Sequence, residues 1–214
     1  MRNKTHYLFD LDGTLTDSQE GIVKCFAYAM KQMGLPAPEL SELLWCVGPP
    51  LRESFAKILG PELEHRVEEA AMAYRERFSD VGLYENLVYQ GIPETLQALK
   101  ARGLSLYVCT SKPRVYAERI LEHFGLADLF VHIYGSEIDG TRSKKRELIA
   151  HILEQEKLDP ERCVMVGDRD FDIIGAKANR LVAIGAAWGY GSREEQIASG
   201  ADHICDSPMD LLKL

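Results

Sequence analysis

Residues 6–18 read HYLFDLDGTLTDS. A short apolar run stops abruptly at Asp10 and Asp12, and Gly13 and Thr14 follow at once. That is the form of a buried strand whose end opens onto a polar loop. Two carboxylates so close together oppose each other's ionisation unless a cation sits with them. The pair is therefore either a solvated turn, where Asp and Gly are common, or a group with a chemical task.

Four more runs share the form: LSLYVC before Thr110, VHIYG at 131–135, CVMVG before Asp168 and LVAIG at 181–185. The short HIC at 203–205 suits an edge strand. Their hydrophobicity is continuous rather than alternating, which fits strands covered on both faces, as in a parallel sheet. Helix-like stretches separate them, among them Pro113 to Phe124 and Lys145 to Glu156. Pro113 suits a first helical turn and Gly125 a stop. This alternation predicts an α/β fold with a doubly wound parallel sheet.

Spacing adds a second domain. Thr110 to Asp168 makes two strand–helix units in 58 residues, whereas Asp10 to Thr110 takes 100 for what should be one crossover. The excess is rich in helix formers and is punctuated by Pro36, Pro38, Gly48, Pro49, Pro50, Gly60 and Pro61. It predicts a helical domain of about four helices over residues 18–84, inserted into a core of residues 1–17 and 85–214.

The whole chain narrows the choice of partners. Its 214 residues are 46% hydrophobic and 27% charged, an ordinary globular composition. Lys plus Arg number 25 against 33 for Asp plus Glu, a formal net charge of −8. Nucleic acid and anionic membrane both want a basic surface, so neither is an expected partner. A small anionic substrate stays open, because a metal ion or a few local cations reverse the sign of one pocket. Five scattered cysteines without a CxxC pair fit a reducing compartment. No signal-peptide core and no run of about 18 apolar residues is present. The expectation is a cytoplasmic monomer or homodimer.

In open parallel sheets, ligands bind beyond the carboxyl ends of the strands. Four polar clusters fall there: Asp10 with Asp12, Thr110 with Ser111, Lys144 with Lys145, and Asp168 with Asp172. Carboxylates, hydroxyls and an ammonium together suit a hard divalent cation and a phosphate. Mg²⁺ takes oxygen ligands and is held by one or two carboxylates beside a substrate phosphate. Without a cation, a carboxylate about 4 Å from a phosphate charge is repelled by roughly 4 kcal/mol at an effective dielectric of 20.

Plainer readings compete. Thr110 and Ser111 are also fit to cap the helix near Pro113, and paired lysines are commonly a solvated helix face. A calcium loop beginning D-x-D needs Gly at its sixth position and Glu at its twelfth. Counting from Asp10 gives Leu15 and Gly21, and from Asp168 gives Ile173 and Asn179, so that reading fails. The stretch GAAWGYG at 185–191 matches neither a P-loop nor GxGxxG. The histidines have no metal spacing and no G-x-S-x-G elbow is present.

DLDGTLTDS, VCTS, the lysines of RSKKREL and GDRDFD, in that order, resemble the haloacid dehalogenase superfamily of phosphohydrolases. The helical insertion after the first strand is similar to that of the C1-capped, phosphoglycolate-phosphatase-like branch. The resemblance runs over nearly the whole chain. It implies an Asp10 nucleophile that forms an aspartyl-phosphate and an Asp12 general acid and base. Mg²⁺ would be bound by the Asp10 carboxylate, the Asp12 backbone carbonyl and Asp168, with Asp172 in the metal's surroundings or a nearby turn. Thr110, Ser111 and backbone N–H groups around Gly13 would hold the phosphoryl oxygens. Lys145, rather than Lys144, would neutralise the transferred group.

Two departures stand out: Ser111 replaces an Asn common in relatives, and the lysine motif lacks its usual proline. Asp12 counts against dehalogenation, which does without a second aspartate acid. The implied substrate is a small phosphorylated metabolite, phosphoglycolate by default. DGTRSKK is also similar to relatives described as 5′-nucleotidases, and a sugar phosphomutase would share the insertion and the intermediate. A catalytically silent protein on the same fold is the remaining reading. In the insertion, Arg52 closes the loop VGPPLR and is expected to contact a polar part of the substrate, with a surface salt bridge as its alternative.

Overall fold

β1 (His6–Phe9) lies inside a six-stranded sheet in a computed structural model that describes residues 3–214. Met1 and Arg2, part of the expected core segment, lie outside the described residues. The chain continues through β2 (Thr16–Asp17), α1 (Gln19–Gln32), α2 (Leu51–Leu63), α3 (Val67–Arg77) and β3 (Leu87–Val88). Then come α4 (Ile92–Ala101), β4 (Ser105–Pro113), α5 (Arg114–His123), β5 (His132–Ser136) and α6 (Lys145–Gln155). β6 (Cys163–Gly167), α7 (Asp170–Ala178), β7 (Val182–Ala186), α8 (Arg193–Ala198) and β8 (His203–Cys205) complete it.

The sheet order is β5-β4-β1-β6-β7-β8, and neighbouring strands run parallel. The expected α/β doubly wound fold is what the chain adopts. Side chains alternate across β1: Leu8 joins Cys109, Met165, Leu148, Ile149, Ile152 and Ile173 in one core cluster. Tyr7 and Phe9 take the opposite side, where the Phe9 and Phe130 rings meet edge to face at 6.4 Å. Leu8, Phe9, Val108, Val164 and Val166 are all fully buried, at roughly 1.5–3 kcal/mol each for a large apolar side chain. That burial explains why these strands read as unbroken apolar runs.

Register positions the chemistry. Phe9 pairs with Val108 on one side and Val166 on the other. Asp10 and Asp168, which leave β1 and β6, and Thr110, still within β4, therefore lie at the same edge of the three strands.

The chain divides into two compact units, one of residues up to Thr16 with Val88–Leu214, the other Asp17–Leu87. The second is helical and is built round aromatic rings: Phe26 lies 4.6 Å from Phe55 and 5.1 Å from Tyr74 between ring centroids. α1 comes close to the turn after α3, and a Cβ on Gly21 would meet the Gly82 carbonyl at 2.0 Å. α2 breaks at Gly60, whose φ of 69° suits glycine, and Pro61 restarts the helix. The two-residue strands β2 and β3 pair with each other; they are too short to leave a periodic signal in the sequence.

Candidate active site

The Asp10 N–H donates to the Val166 carbonyl at 2.9 Å, continuing the strand pairing to the last residue before the loop. The Asp10 carboxylate is buried, accepts the Leu11 N–H at 2.7 Å and faces Lys145 Nζ at 2.9 Å. Lys145 opens α6 and is itself buried, with its Nζ also 2.5 Å from Asp172 Oδ1. Lys144 is the exposed residue before the helix. Burial works against the charge on Lys145, but the Asp10 and Asp172 carboxylates outweigh it and hold the ammonium above the ordinary lysine range.

Asp168 follows β6 and is wholly buried. Its Oδ2 accepts the backbone N–H of Tyr190 at 2.9 Å and of Gly191 at 3.4 Å. The Thr14 hydroxyl donates to Oδ1 at 3.4 Å. Thus the stretch 185–191, which matched no ligand motif, carries the support of this carboxylate. Its glycines allow that approach: a Cβ on Gly189 would meet the Gly13 carbonyl at 2.2 Å, and one on Gly191 would meet the Asp168 carbonyl at 2.0 Å. Trp188 Nε1 donates to the Thr14 carbonyl at 2.9 Å, and buried Gln196 donates to the Asp168 carbonyl at 2.9 Å. Neither residue was singled out from sequence, because their partners are backbone atoms far along the chain.

Gly13 has φ of 81°, and a Cβ there would meet the Asp168 carboxylate at 2.4 Å. Its N–H donates to the Thr16 carbonyl at 2.8 Å. Asp172 sits in the first turn of α7, and its Oδ2 accepts the Arg169 N–H at 3.1 Å. Thr110 is buried and its hydroxyl oxygen accepts the Lys112 N–H at 3.3 Å. Ser111 is half-buried and its carbonyl accepts the Ser136 hydroxyl at 2.8 Å. Arg52 lies in the helical unit, where its guanidinium forks onto Glu68, Nη2 to Oε2 at 3.0 Å.

Asp10, Asp168 and Asp172 each offer an oxygen, all within 4.8 Å of one another. Lys145 sets one positive charge against these three carboxylates; a divalent cation supplies the two that remain. Burial first, then the like charges of Asp172 and Asp10, hold the Asp168 carboxyl well above the ordinary carboxylate range. Burial likewise raises Asp172, partly offset by Lys145. Hard oxygen donors kept dry and short of positive charge fit a hard divalent cation. The Asp12 carboxylate stands apart from the three and pairs with Lys112.

A carboxyl raised in the fold favours the protonated folded state. The metal-free protein therefore loses stability as pH rises from the ordinary carboxylate range through the raised value. Asp168→Asn removes that penalty and keeps a carbonyl oxygen for Tyr190 and Gly191. At neutral pH without metal, the variant is expected to be more stable by about 0.5–2 kcal/mol. Added Mg²⁺ is expected to raise the melting temperature of the unsubstituted chain and to leave that of the variant unchanged. Thermal melts with and without the cation check this; a metal-free variant that melts lower overturns it.

Among the described residues no helix is long and apolar enough to cross a membrane. A family model described as haloacid dehalogenase-like hydrolase matches residues 7–186. A 5′-nucleotidase from Pseudomonas aeruginosa is 49% identical over 92% of this chain and 89% of that protein. A phosphoglycolate phosphatase from Aquifex aeolicus is 31% identical over 97% of this chain and 94% of that one. The crystal structure of a predicted phosphatase from Clostridium acetobutylicum superposes with a TM-score of 0.93 at 41% identity, covering 99% of both chains. With the strand-end carboxylates and lysine in place, the chain belongs to the haloacid dehalogenase-like hydrolases, and within them it is a phosphoric monoester hydrolase.

Proposed function

We propose that this chain is a Mg²⁺-dependent phosphatase that hydrolyses a small phosphate monoester through an aspartyl-phosphate on Asp10. The observation that carries the reading is the division of charge. Asp10 shares a dry cluster with Asp168, Asp172 and Lys145, while Asp12, two residues on, is kept out of it.

An Asp10 oxygen attacks phosphorus and the bond to the leaving oxygen breaks, with Asp12 giving that oxygen a proton. Water then attacks phosphorus, Asp12 takes its proton, and the bond to Asp10 breaks to release phosphate. Asp10, Asp168, Asp172 and the Asp12 carbonyl would hold the Mg²⁺, whose charge offsets repulsion between carboxylate and phosphoryl group. Lys145 adds a fixed positive charge beside the nucleophile. The Thr110 hydroxyl, Ser111 and the Asp12 N–H would orient the phosphoryl oxygens, since the Asp10, Gly13 and Thr14 N–H groups donate to the Val166, Thr16 and Leu11 carbonyls.

Phosphoglycolate is the default substrate of the resembling branch. The higher identity to a 5′-nucleotidase than to a phosphoglycolate phosphatase favours a nucleoside 5′-monophosphate as the second substrate to test. A panel of phosphoglycolate, nucleoside monophosphates and sugar phosphates, with and without Mg²⁺, separates these by phosphate release. Isomerisation of a sugar phosphate without release would instead mark a mutase. No Mg²⁺-dependent release from any ester overturns the hydrolase reading.

The core groups handle only the phosphoryl group, so recognition of the rest of the ester needs other residues, and we assign part of it to Arg52. Its pair with Glu68 is one-third exposed on the arginine side and more on the glutamate, and such pairs are worth roughly 0–1 kcal/mol. It is therefore easily exchanged for a substrate anion. Losing a charge-assisted contact costs about 1.5–3 kcal/mol. Arg52→Ala should lower kcat/KM about 10- to 150-fold on the natural substrate and leave p-nitrophenyl phosphate nearly unchanged. Equal losses on both substrates, or none, return Arg52 to a surface salt bridge.

A further inference from the structure

Lys112 belongs to none of the four strand-end clusters, yet it holds one of their carboxylates. β4 does not end at Thr110: it runs on to Pro113 through a register shift between Thr110 and Pro113. Such an irregularity bends the strand and re-aims a side chain. The backbone there is fixed on several sides. The Lys112 N–H donates to Thr110 Oγ1 at 3.3 Å, and the Ser136 hydroxyl donates to the Ser111 carbonyl at 2.8 Å. β5 runs close alongside, and a Cβ on Gly135 would meet the Lys112 carbonyl at 2.5 Å. From this bend Lys112 Nζ reaches Asp12 Oδ1 at 2.8 Å, with side-chain exposures of 6% and 8%.

A buried ion pair is a poor device for stability. Replacing one by well-packed apolar residues is often neutral or stabilising, because desolvation offsets the attraction. A task at the site explains the pair better. Asp12 is two residues from Asp10, beside a cluster built to draw in a divalent cation. An unpartnered carboxylate on that loop would be pulled toward the cation as a further ligand. Lys145 serves Asp10 and Asp172, and Lys112 serves Asp12.

We propose that Lys112 is the positioning residue of Asp12: it holds the carboxylate away from the Asp10–Asp168–Asp172 cluster and toward the leaving group. This rests on the phosphatase reading. Losing a partner that orients a ligand or acid typically costs 10- to 100-fold. Lys112→Met keeps the length and removes the charge. It should lower kcat on an alkyl phosphate about 10- to 100-fold with KM moved less than about threefold. On p-nitrophenyl phosphate, whose leaving group needs no proton, the rate of the nitrophenol burst should change less than about threefold while the steady rate after it slows. Lys112→Arg should recover most of the loss, and adding Lys112→Met to Asp12→Asn should cost nothing further.

A crystal structure of Lys112→Met with Mg²⁺ gives a readout that needs no turnover. Asp12 is expected to have swung away from its present position and toward the cation. An Asp12 that stays in place overturns the proposal. So does a KM that rises equally on both substrates, which would make Lys112 a phosphate contact, or an equal loss in the Asp12→Asn background. An unsubstituted chain that releases no phosphate from any ester defeats the phosphatase reading, and the crystal structure still decides the role of Lys112.

Discussion

Asp10→Asn is expected to leave a folded protein whose turnover falls by about 10⁴-fold or more, the scale seen when a covalent nucleophile is removed. The amide keeps the shape of the carboxylate, so Asp10 can still accept the Leu11 N–H. What disappears is the nucleophilic oxygen and one of the three charges gathered for a cation. Folding should not suffer, because the amide keeps the shape and removes a like charge facing Asp168 and Asp172. Lys145 keeps Asp172 as a partner, so the substitution does not strand a buried ammonium. The readout is single-turnover phosphate release together with circular dichroism. Beryllofluoride, an aspartyl-phosphate mimic, should attach to Asp10 in the unsubstituted protein and not in the variant. More than a few per cent of residual turnover, or attachment elsewhere, would falsify the covalent route.

The physical reasons for what sequence reveals differ from residue to residue. The four inner strands are legible because they are buried on both faces. The edge strands β5 and β8 are partly exposed, yet each run of apolar letters maps onto one strand of the sheet. Asp10 and Asp168 are legible because a carboxylate ending such a run has nowhere to go but the sheet's carboxyl edge. The resemblance favours Lys145 over Lys144, and helical phase supports the same choice. Lys145 stands three, four and seven residues before Leu148, Ile149 and Ile152, all buried, so it shares the inward face of α6.

Lys112 was not legible. A residue after a strand end reads as a loop lysine, and only the register shift against Gly135 and Ser136 turns it inward. The glycines at 189 and 191 were visible as letters but not as contacts, since the Asp168 and Gly13 atoms they admit lie far away along the chain. Pairings between distant backbone segments leave no periodic trace.

Asp12→Ala should behave differently from the nucleophile variant. Its side chain lies outside the carboxylate cluster, so Mg²⁺ affinity should stay within about threefold and the loss should fall on kcat. A general acid–base residue contributes typically 10²- to 10⁴-fold. In formation of the aspartyl-phosphate the loss should be largest for an alkyl phosphate, whose departing oxygen needs a proton, and smallest for p-nitrophenyl phosphate, whose oxygen leaves as a stable anion. Formation of the aspartyl-phosphate from the nitrophenyl ester should survive while its hydrolysis slows, because water activation needs the same carboxylate as a base. A burst of nitrophenol followed by a slow steady rate is the expected trace. The substitution also leaves Lys112 buried without its carboxylate, and breaking such a pair costs up to about 3–5 kcal/mol. Asp12→Ala protein should therefore melt lower than the unsubstituted chain. Adding Lys112→Met should return much of that stability and none of the turnover. Recovery of both together would mean that Asp12 acts on folding rather than on the leaving group. Equal kcat losses on the two esters, with no burst, would remove Asp12 from the acid–base role.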